Sequence, residues 1–352
     1  MDQGPRQAVD NINTLLGNRT GVLGLVFRML PPRDLKNVLL VCQFWREVGE
    51  PVLWARSVLK VTSENMTGLV ETLSGSRRLK YVRNLRVIGV VPKELLQAMA
   101  EQQRFKLVDM ASCITLSEVE PELLARAVAG LEEVDMWSNR LTKQQAEAIL
   151  RDVCTGGSQL KILKIRCNSL SSMDSTMLAR AVNNLVEVNF CNTKITHQQT
   201  KEIFTAICAG GSRLKTLAIE GTSLAQLDSG LLATAVNNLE QVDISNTELT
   251  NQQTKEILTV VCGGGSRLKT LIIAWTDLSS VEEGLLARAV TSLEEVNLGH
   301  TNLTKQQLEA ILKAISKDHS QLKSLDIGSN NLSLVEPCLL SRAVTSLENM
   351  KL

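Results

Sequence analysis

The sequence predicts an α/β solenoid, with short parallel strands on a concave face and helices outside. Three observations predict it. Leu131, Leu185, Leu239, Leu293 and Leu347 stand 54 residues apart, and Leu160, Leu214, Leu268 and Leu322 keep the same spacing. A strict period of this length means one supersecondary unit repeated, each copy burying its apolar face on the next. Leucine, isoleucine, valine and alanine build the core, while aromatics are only 3% of the chain.

The unit beginning at Leu131 is LEEVDMWSNRL, which places Leu131, Val134, Met136 and Leu141 inward. Its apolar alternation over a few residues marks a short strand. Thr142 and Gln145 follow as a capping box, in which each side chain satisfies a free amide at a helix start. The pair recurs as Thr196/Gln199, Thr250/Gln253 and Thr304/Gln307. The helix buries Ala146, Ile149, Leu150, Val153 and Cys154 and stops at Gly156-Gly157. Glycine allows the left-handed backbone that ends helices. Gly210-Gly211 and Gly263-Gly264-Gly265 are the later stops. A second half-unit starts at Leu160, with Leu163, Ile165 and Leu170 inward. It leads to the helical stretch Met177–Val182, which has relatives at 123–128, 231–236, 285–290 and 339–344. The period therefore splits into units of 29 and 25 residues, each a strand and a helix. Strands spaced about 4.8 Å apart with bulkier helices outside force curvature.

The pattern LxxLxLxxNxL with two alternating unit types resembles a leucine-rich-repeat horseshoe of the ribonuclease-inhibitor class over residues 107–352. The asparagine of that pattern stands at Asn139, Asn168 and Asn330. It is threonine at Thr193, Thr222, Thr247, Thr276 and Thr301. Threonine lacks the amide's second set of partners, so softer strand contacts are expected there. Leu347, Met350 and Leu352 begin a further strand at the chain's end, read as an exposed edge, a pairing edge or a truncated sequence.

Residues 1–17 are expected to lack fixed structure, and 18–60 break the repeat. Phe27, Phe44, Trp45 and Trp54 lie there. Val22, Leu23, Val26, Phe27 and Leu30 recur at helical spacing, and Pro31-Pro32 ends that helix. Asp34 is expected to cap a second helix burying Leu35, Val38, Leu39 and Cys42. A third short helix is expected to hold Pro51, Leu53 and Trp54. So small a core is marginal alone. In order, Val26-Phe27, Leu30-Pro31, Asp34-Leu35, Val41-Cys42, Trp45-Arg46 and Leu53-Trp54 resemble an F-box. The family's usual opening of Leu-Pro and an acid is replaced by Asn18, Arg19 and Gly21. The resemblance implies that Val26, Phe27, Leu30, Pro31, Leu35, Val41, Cys42, Trp45, Leu53 and Trp54 hold a Skp-type adaptor and, through it, a cullin–RING ligase. The whole chain would then be the substrate-recognition subunit of a Skp–cullin–F-box ubiquitin ligase. The alternative is a non-enzymatic repeat scaffold or inhibitor whose N-terminal helices only cap the array.

Residues 61–106 read as an irregular capping repeat. Leu79, Val82, Leu85 and Val87 are expected as its first strand, and Pro92–Met99 as its helix. Arg77, Arg78, Lys80, Arg83 and Arg86 cluster there. Without interleaved aromatics they read as a solvated edge rather than a nucleic-acid patch.

The variable strand positions face the concave side, and a target protein is expected on them. Asp135, Trp137, Lys164, Arg166, Glu187, Glu220, Asp243, Trp275 and Glu295 are the candidate contacts, because exposed tryptophan and charge mark binding hot spots. The array carries a charge of −6 and residues 1–106 carry +7, which suggests a basic partner for the repeats. No enzyme, metal or cofactor is expected. His197, His300 and His319 stand apart, and there is no Cys-x-x-Cys, phosphate loop or nucleophile elbow. Cys154, Cys208 and Cys262 share one repeat position, and Cys113 and Cys167 share another. They read as small apolar fillers too far apart to bridge. No signal peptide or membrane span is evident, so a reducing cytoplasmic or nuclear location is expected.

Overall fold

A computed structural model describes residues 20–62, 81–113, 115–166, 170–316 and 320–352. Asn18, Arg19, Arg77, Arg78, Leu79, Lys80, Cys167, Asn168 and His319 lie outside the described residues. Strands β1 (Val58–Thr62), β2 (Asn84–Ile88), β3 (Leu107–Asp109), β4 (Glu133–Asp135), β5 (Ile162–Lys164), β6 (Glu187–Asn189) and β7 (Thr216–Ala218) lead into β8 (Gln241–Asp243), β9 (Thr270–Ile272), β10 (Glu295–Asn297), β11 (Ser324–Asp326) and β12 (Asn349–Lys351). All pair in parallel and in chain order, giving one open twelve-stranded sheet. In β3 to β11 the middle residue, such as Val134, Leu163, Val188 and Leu217, is buried under the helices, and its two neighbours face outward.

The outer layer holds α4 (Lys93–Gln102), α5 (Pro121–Ala129), α6 (Lys143–Thr155), α7 (Ser175–Asn184), α8 (His197–Cys208), α9 (Ser229–Asn237), α10 (Asn251–Cys262), α11 (Glu283–Thr291), α12 (Lys305–Ile315) and α13 (Pro337–Ser346). The periodic leucines line one continuous core from Val61 to Ala343. All four capping boxes form, each with both of its hydrogen bonds. Their glutamines also reach across the stack. Gln145 Nε2 donates to the carbonyls of Leu116 (2.7 Å) and Val119 (2.6 Å) in the preceding unit. Gln199, Gln253 and Gln307 repeat that pair of bonds to Leu170/Met173, Leu224/Leu227 and Leu278/Val281. Each glutamine is fully buried, so it is both a helix cap and a staple between units.

Asn139 links two loops, accepting from Cys113 N (2.7 Å) and donating to Met110 O (2.8 Å). The threonines at the equivalent position bond within their own turn, as Thr247 does to Ile244 O and Thr301 does to Leu298 O. Thr222 and Thr276 have no hydroxyl partner. The chemistry thus matches the expected asymmetry between the two residue types.

The cysteines do more than fill space. Cys154, Cys208 and Cys262 are half-buried free thiols, and each donates to a carbonyl of the next helix: Met177, Leu231 or Leu285.

At the N-terminus, α1 (Thr20–Met29), α2 (Pro32–Val38) and α3 (Gln43–Arg56) form the expected helical module with its own small core of Leu23, Phe27 and Leu35. Three local details differ from expectation. Pro32, not a capped Asp34, starts α2, because proline's fixed φ suits a first helical turn. Cys42 is not buried by α2 but is the N-cap of α3, its sulfur accepting from Trp45 N at 3.5 Å. The third helix runs for 14 residues and includes Pro51. The module joins the array through β1, which crosses the expected boundary at residue 60. Sequence reading placed the first strand near Leu79–Val87. The structure instead makes Asn84–Ile88 the second, laid on Val58–Thr62. Asn84 Nδ2 donates to Ala55 O at 3.2 Å, and Trp54 packs on the array's core. No helix among the described residues is long and apolar enough to cross a membrane.

Candidate interaction surfaces of the helical module and the concave face

The ten residues expected to hold an adaptor separate by burial. Phe27 and Leu35 are corrections: both are fully buried and serve the module's core, where the Trp45 ring meets Phe27 edge-on at 5.5 Å. Leu30, Cys42, Trp45, Leu53 and Trp54 are half-buried, whereas Val26, Pro31 and Val41 are exposed. Beside Val26 and Val41 the structure exposes Leu25, Met29 and Leu40, with Met29 85% accessible. Five of the twelve exposed large apolar side chains among the described residues thus stand between 25 and 41. Sequence reading missed Leu25 and Met29 because α1 is apolar on nearly every side, so spacing could not tell its inner face from its outer one, and it missed Leu40 because that residue lies in the turn after α2. Apolar side chains exposed together in so short a segment make it a candidate interaction surface.

On the concave face the strand positions expected to look outward do so for the first two rows. The third row departs. Trp137, Arg166 and Glu220 are accessible, but Cys191, Ser245, Ala274 and Gly299 are buried. Small side chains sit there because the inner face is curved and crowded where the strands turn.

In six of the twelve strands the last outward position also holds its own turn. Asp135 accepts from Trp137 N (3.0 Å) and Asp243 accepts from Ser245 N (3.0 Å). Asn189 and Asn297 make the same bond. This is the Asx-turn geometry, and it commits one side-chain oxygen to the backbone. Burial pushes the Asp135 carboxyl above its ordinary range, and Asp109 adds to that. The Trp137 amide, Lys164 and Arg166 work against it.

Charges on this face are paired unevenly. Lys164 Nζ lies 2.9 Å from Glu133 and 3.6 Å from Glu187. Burial works against that ammonium, yet the surrounding carboxylates hold its pKa above the usual lysine value. Arg86 meets Asp109 at 2.7 Å, and Lys351 meets Asp326 at 2.9 Å. Glu220, Asp243 and Glu295 have no such cation among the described residues. Cys191, Glu220 and Asp243 bring their ligating atoms within 4.8 Å of one another. The buried Cys191 thiol is pushed up to about 12 by desolvation and the two carboxylates, so it stays protonated.

The two tryptophans are both accessible. Trp137 is 41% exposed, with the Arg166 guanidinium 5.4 Å from its ring. Trp275 is 60% exposed and stacks on His300 at 3.7 Å and 9°. Both members of that stack have positive φ, 60° and 58°, at a turn position that Ser138, Asn192 and Asn246 occupy in other units. Bulky side chains there carry backbone strain, which draws attention to function. His300 escaped sequence reading because the contact joins two separate turns. A cleft of about 700 Å³ lies elsewhere, beside the loop after α6.

With this geometry in view, the N-terminal module and the array define a class: an F-box-like module joined to a leucine-rich-repeat solenoid. Residues 20–60 match the F-box-like family model. The fold of the whole chain is similar to the leucine-rich repeat-containing protein LegL7 from Legionella pneumophila. The TM-score is 0.53 at 16% identity, covering 83% of this chain and 98% of that one. It is also similar to a chain of the Rad7–Elc1 complex from yeast. There the TM-score is 0.55 at 12% identity, covering 94% of this chain and 93% of that one. No curated protein sequence matches the chain at a significant level.

Proposed function

We propose that this chain is the substrate-recognition subunit of a Skp–cullin–F-box ubiquitin ligase. The helical module binds a Skp-type adaptor, and the concave face of the repeats binds a target protein. The observation that carries the reading is the exposure of the apolar side chains Leu25, Val26, Met29, Leu40 and Val41 on a module that matches the F-box-like family. A cap needs apolar residues only toward the array, where Trp54 already serves. It gives no reason to expose Met29 and Leu40 to water. A relative in fold stands in a complex with a second protein, Elc1, which accords with an assembly role. The chain contributes binding and orientation, and the transfer chemistry belongs to other subunits.

The test is co-purification of a Skp-type adaptor with the full chain. Val26→Asp/Met29→Asp should abolish capture with an unchanged circular dichroism melt, because both side chains are exposed. Trp45→Ala is a poor probe, since its ring packs on Phe27. Absence of capture by the well-folded wild-type chain would favour the scaffold reading.

A further inference from the structure

A charged ladder runs along the edge of the array where the strands begin, and it is broken at one rung. In one unit type the residue before the strand is Lys161, Lys215, Lys269 or Lys323. In the other it is Glu132, Glu240, Glu294 or Glu348, but Val186 before β6. The backbone register is shared. Glu132 N donates to Lys106 O at 2.7 Å, and Lys161 N donates to Glu132 O at 2.8 Å. In the same way Val186 N donates to Lys161 O and Lys215 N donates to Val186 O, both at 2.8 Å. The Val186 side chain therefore stands where the glutamates stand. Those glutamates are held by lysines. Glu132 meets Lys106 at 2.6 Å and Lys161 at 3.0 Å, and Glu294 meets Lys323 at 2.6 Å and Lys269 at 3.8 Å. Glu240 meets Lys215 at 2.7 Å. Hydrogen bonds from the lysines hold all three carboxyls below their ordinary range.

At Val186 the lysines on both sides remain and the carboxylate is gone. A third cation stands beside them. The exposed Arg213 guanidinium has no ion pair or side-chain hydrogen bond among the described residues. The neighbouring acids are already engaged: Glu132 by Lys106 and Lys161, Glu240 by Lys215, and Glu187 by Lys164 on the concave face. The surface is also hollow here, because clefts of about 700 and 580 Å³ are both lined by Val186 and Arg213.

We propose that this gap in the ladder is a docking site for an acidic segment of a partner protein, whose carboxylate enters between Lys161, Arg213 and Lys215 and takes the place that glutamate holds in the other units. The site lies on a different face from the concave surface and does not depend on the ligase reading. Cations left around a vacant carboxylate position repel one another, and an incoming carboxylate relieves that repulsion while accepting charge-assisted hydrogen bonds. Half-buried Val186 supplies an apolar floor, so an apolar residue beside the acid suits the segment best.

The experiment follows a rhodamine-labelled Gly/Ser peptide bearing Leu-Glu pairs, and its Leu-Gln twin, by fluorescence anisotropy with the full chain. The glutamate peptide binds, its twin does not, and binding weakens as salt rises. Val186→Glu completes the ladder in cis and repels the probe, so affinity falls at least about fivefold, the scale of one good ion pair. Val186→Gln adds the same bulk without the charge and keeps most of the affinity. Arg213→Gln loses about threefold. Lys323→Gln, whose lysine pairs with Glu294, leaves binding unchanged. Equal affinity of wild type and Val186→Glu overturns the proposal. Equal losses in Val186→Glu and Val186→Gln would mean that bulk alone closes the cleft, and equal losses at Arg213 and Lys323 would mean a diffuse field; either result overturns it too. So does displacement of the peptide by oligodeoxythymidylate at equal charge, which would mean an undiscriminating polyanion surface. Peptide binding without adaptor capture sinks the ligase reading and leaves this site standing, and capture without peptide binding sinks the site alone.

Discussion

Replacing one glutamine staple tests how the units are held together. Gln253→Met keeps the volume of a fully buried side chain and removes its polar end. Four bonds disappear: Nε2 to Leu224 O and Leu227 O, both 2.8 Å, and to Oε1 from Thr250 N, 2.9 Å, and Thr250 Oγ1, 3.1 Å. Leu224 O still accepts from Leu227 N at 2.9 Å. Leu227 O and the Thr250 amide lose the one strong partner that each has. A buried polar group left without a partner costs about 1–3 kcal/mol, so the substitution should cost about 2–5 kcal/mol. Thr250→Ala removes the cap to Gln253 N and the hydroxyl's bond to Gln253 Oε1, leaves both staple bonds in place, and should cost about 1 kcal/mol. Urea unfolding followed by circular dichroism measures both. Because the lost bonds join two units, the transition should also broaden as the array unfolds in parts. A midpoint for Gln253→Met equal to that of Thr250→Ala, or to wild type, would refute the reasoning.

Three further outcomes follow from the same geometry. Trp137→Ala should lower stability by less than about 1 kcal/mol, since it loses one exposed cation–π contact, and it should weaken target capture. A large drop in melting temperature would make Trp137 a packing residue. Phe27→Ala should cost the module about 3–5 kcal/mol and unfold it, which loss of helical signal and of adaptor binding together would show. Asp135→Asn should stabilise the chain at neutral pH. The wild-type carboxyl has a folded pKa above its unfolded value, so its favourable share is present below about pH 3.9 and is lost as pH rises through the folded pKa. The gain of the asparagine variant should therefore shrink on acidification, and a gain that grows instead would contradict the sign.

Much of the scaffold was legible because each repeat states it several times. The leucines at one period, the Thr/Gln boxes and the glycine stops each mark an element edge through local chemistry. What escaped depends on contacts between distant positions. The glutamines show their capping half in sequence, but their second pair of bonds reaches carbonyls a unit away. β1 was hidden because Val58–Thr62 lacks the repeat's leucine frame and earns its place only by pairing with β2. The buried third row of the concave face reflects curvature, a property of the stack. Among site residues, Trp137 and Trp275 stand exposed, while Phe27 and Leu35 turned inward because a module this small has few other side chains with which to make a core.

The most direct measurement is hydrogen exchange on the full chain with and without a purified Skp-type adaptor. The account predicts a stable complex in which amides of α1 to α3 gain protection and those of β4 to β9 do not, leaving the concave face free for a target. No complex, or protection centred on the concave strands with the helical module unchanged, would contradict it.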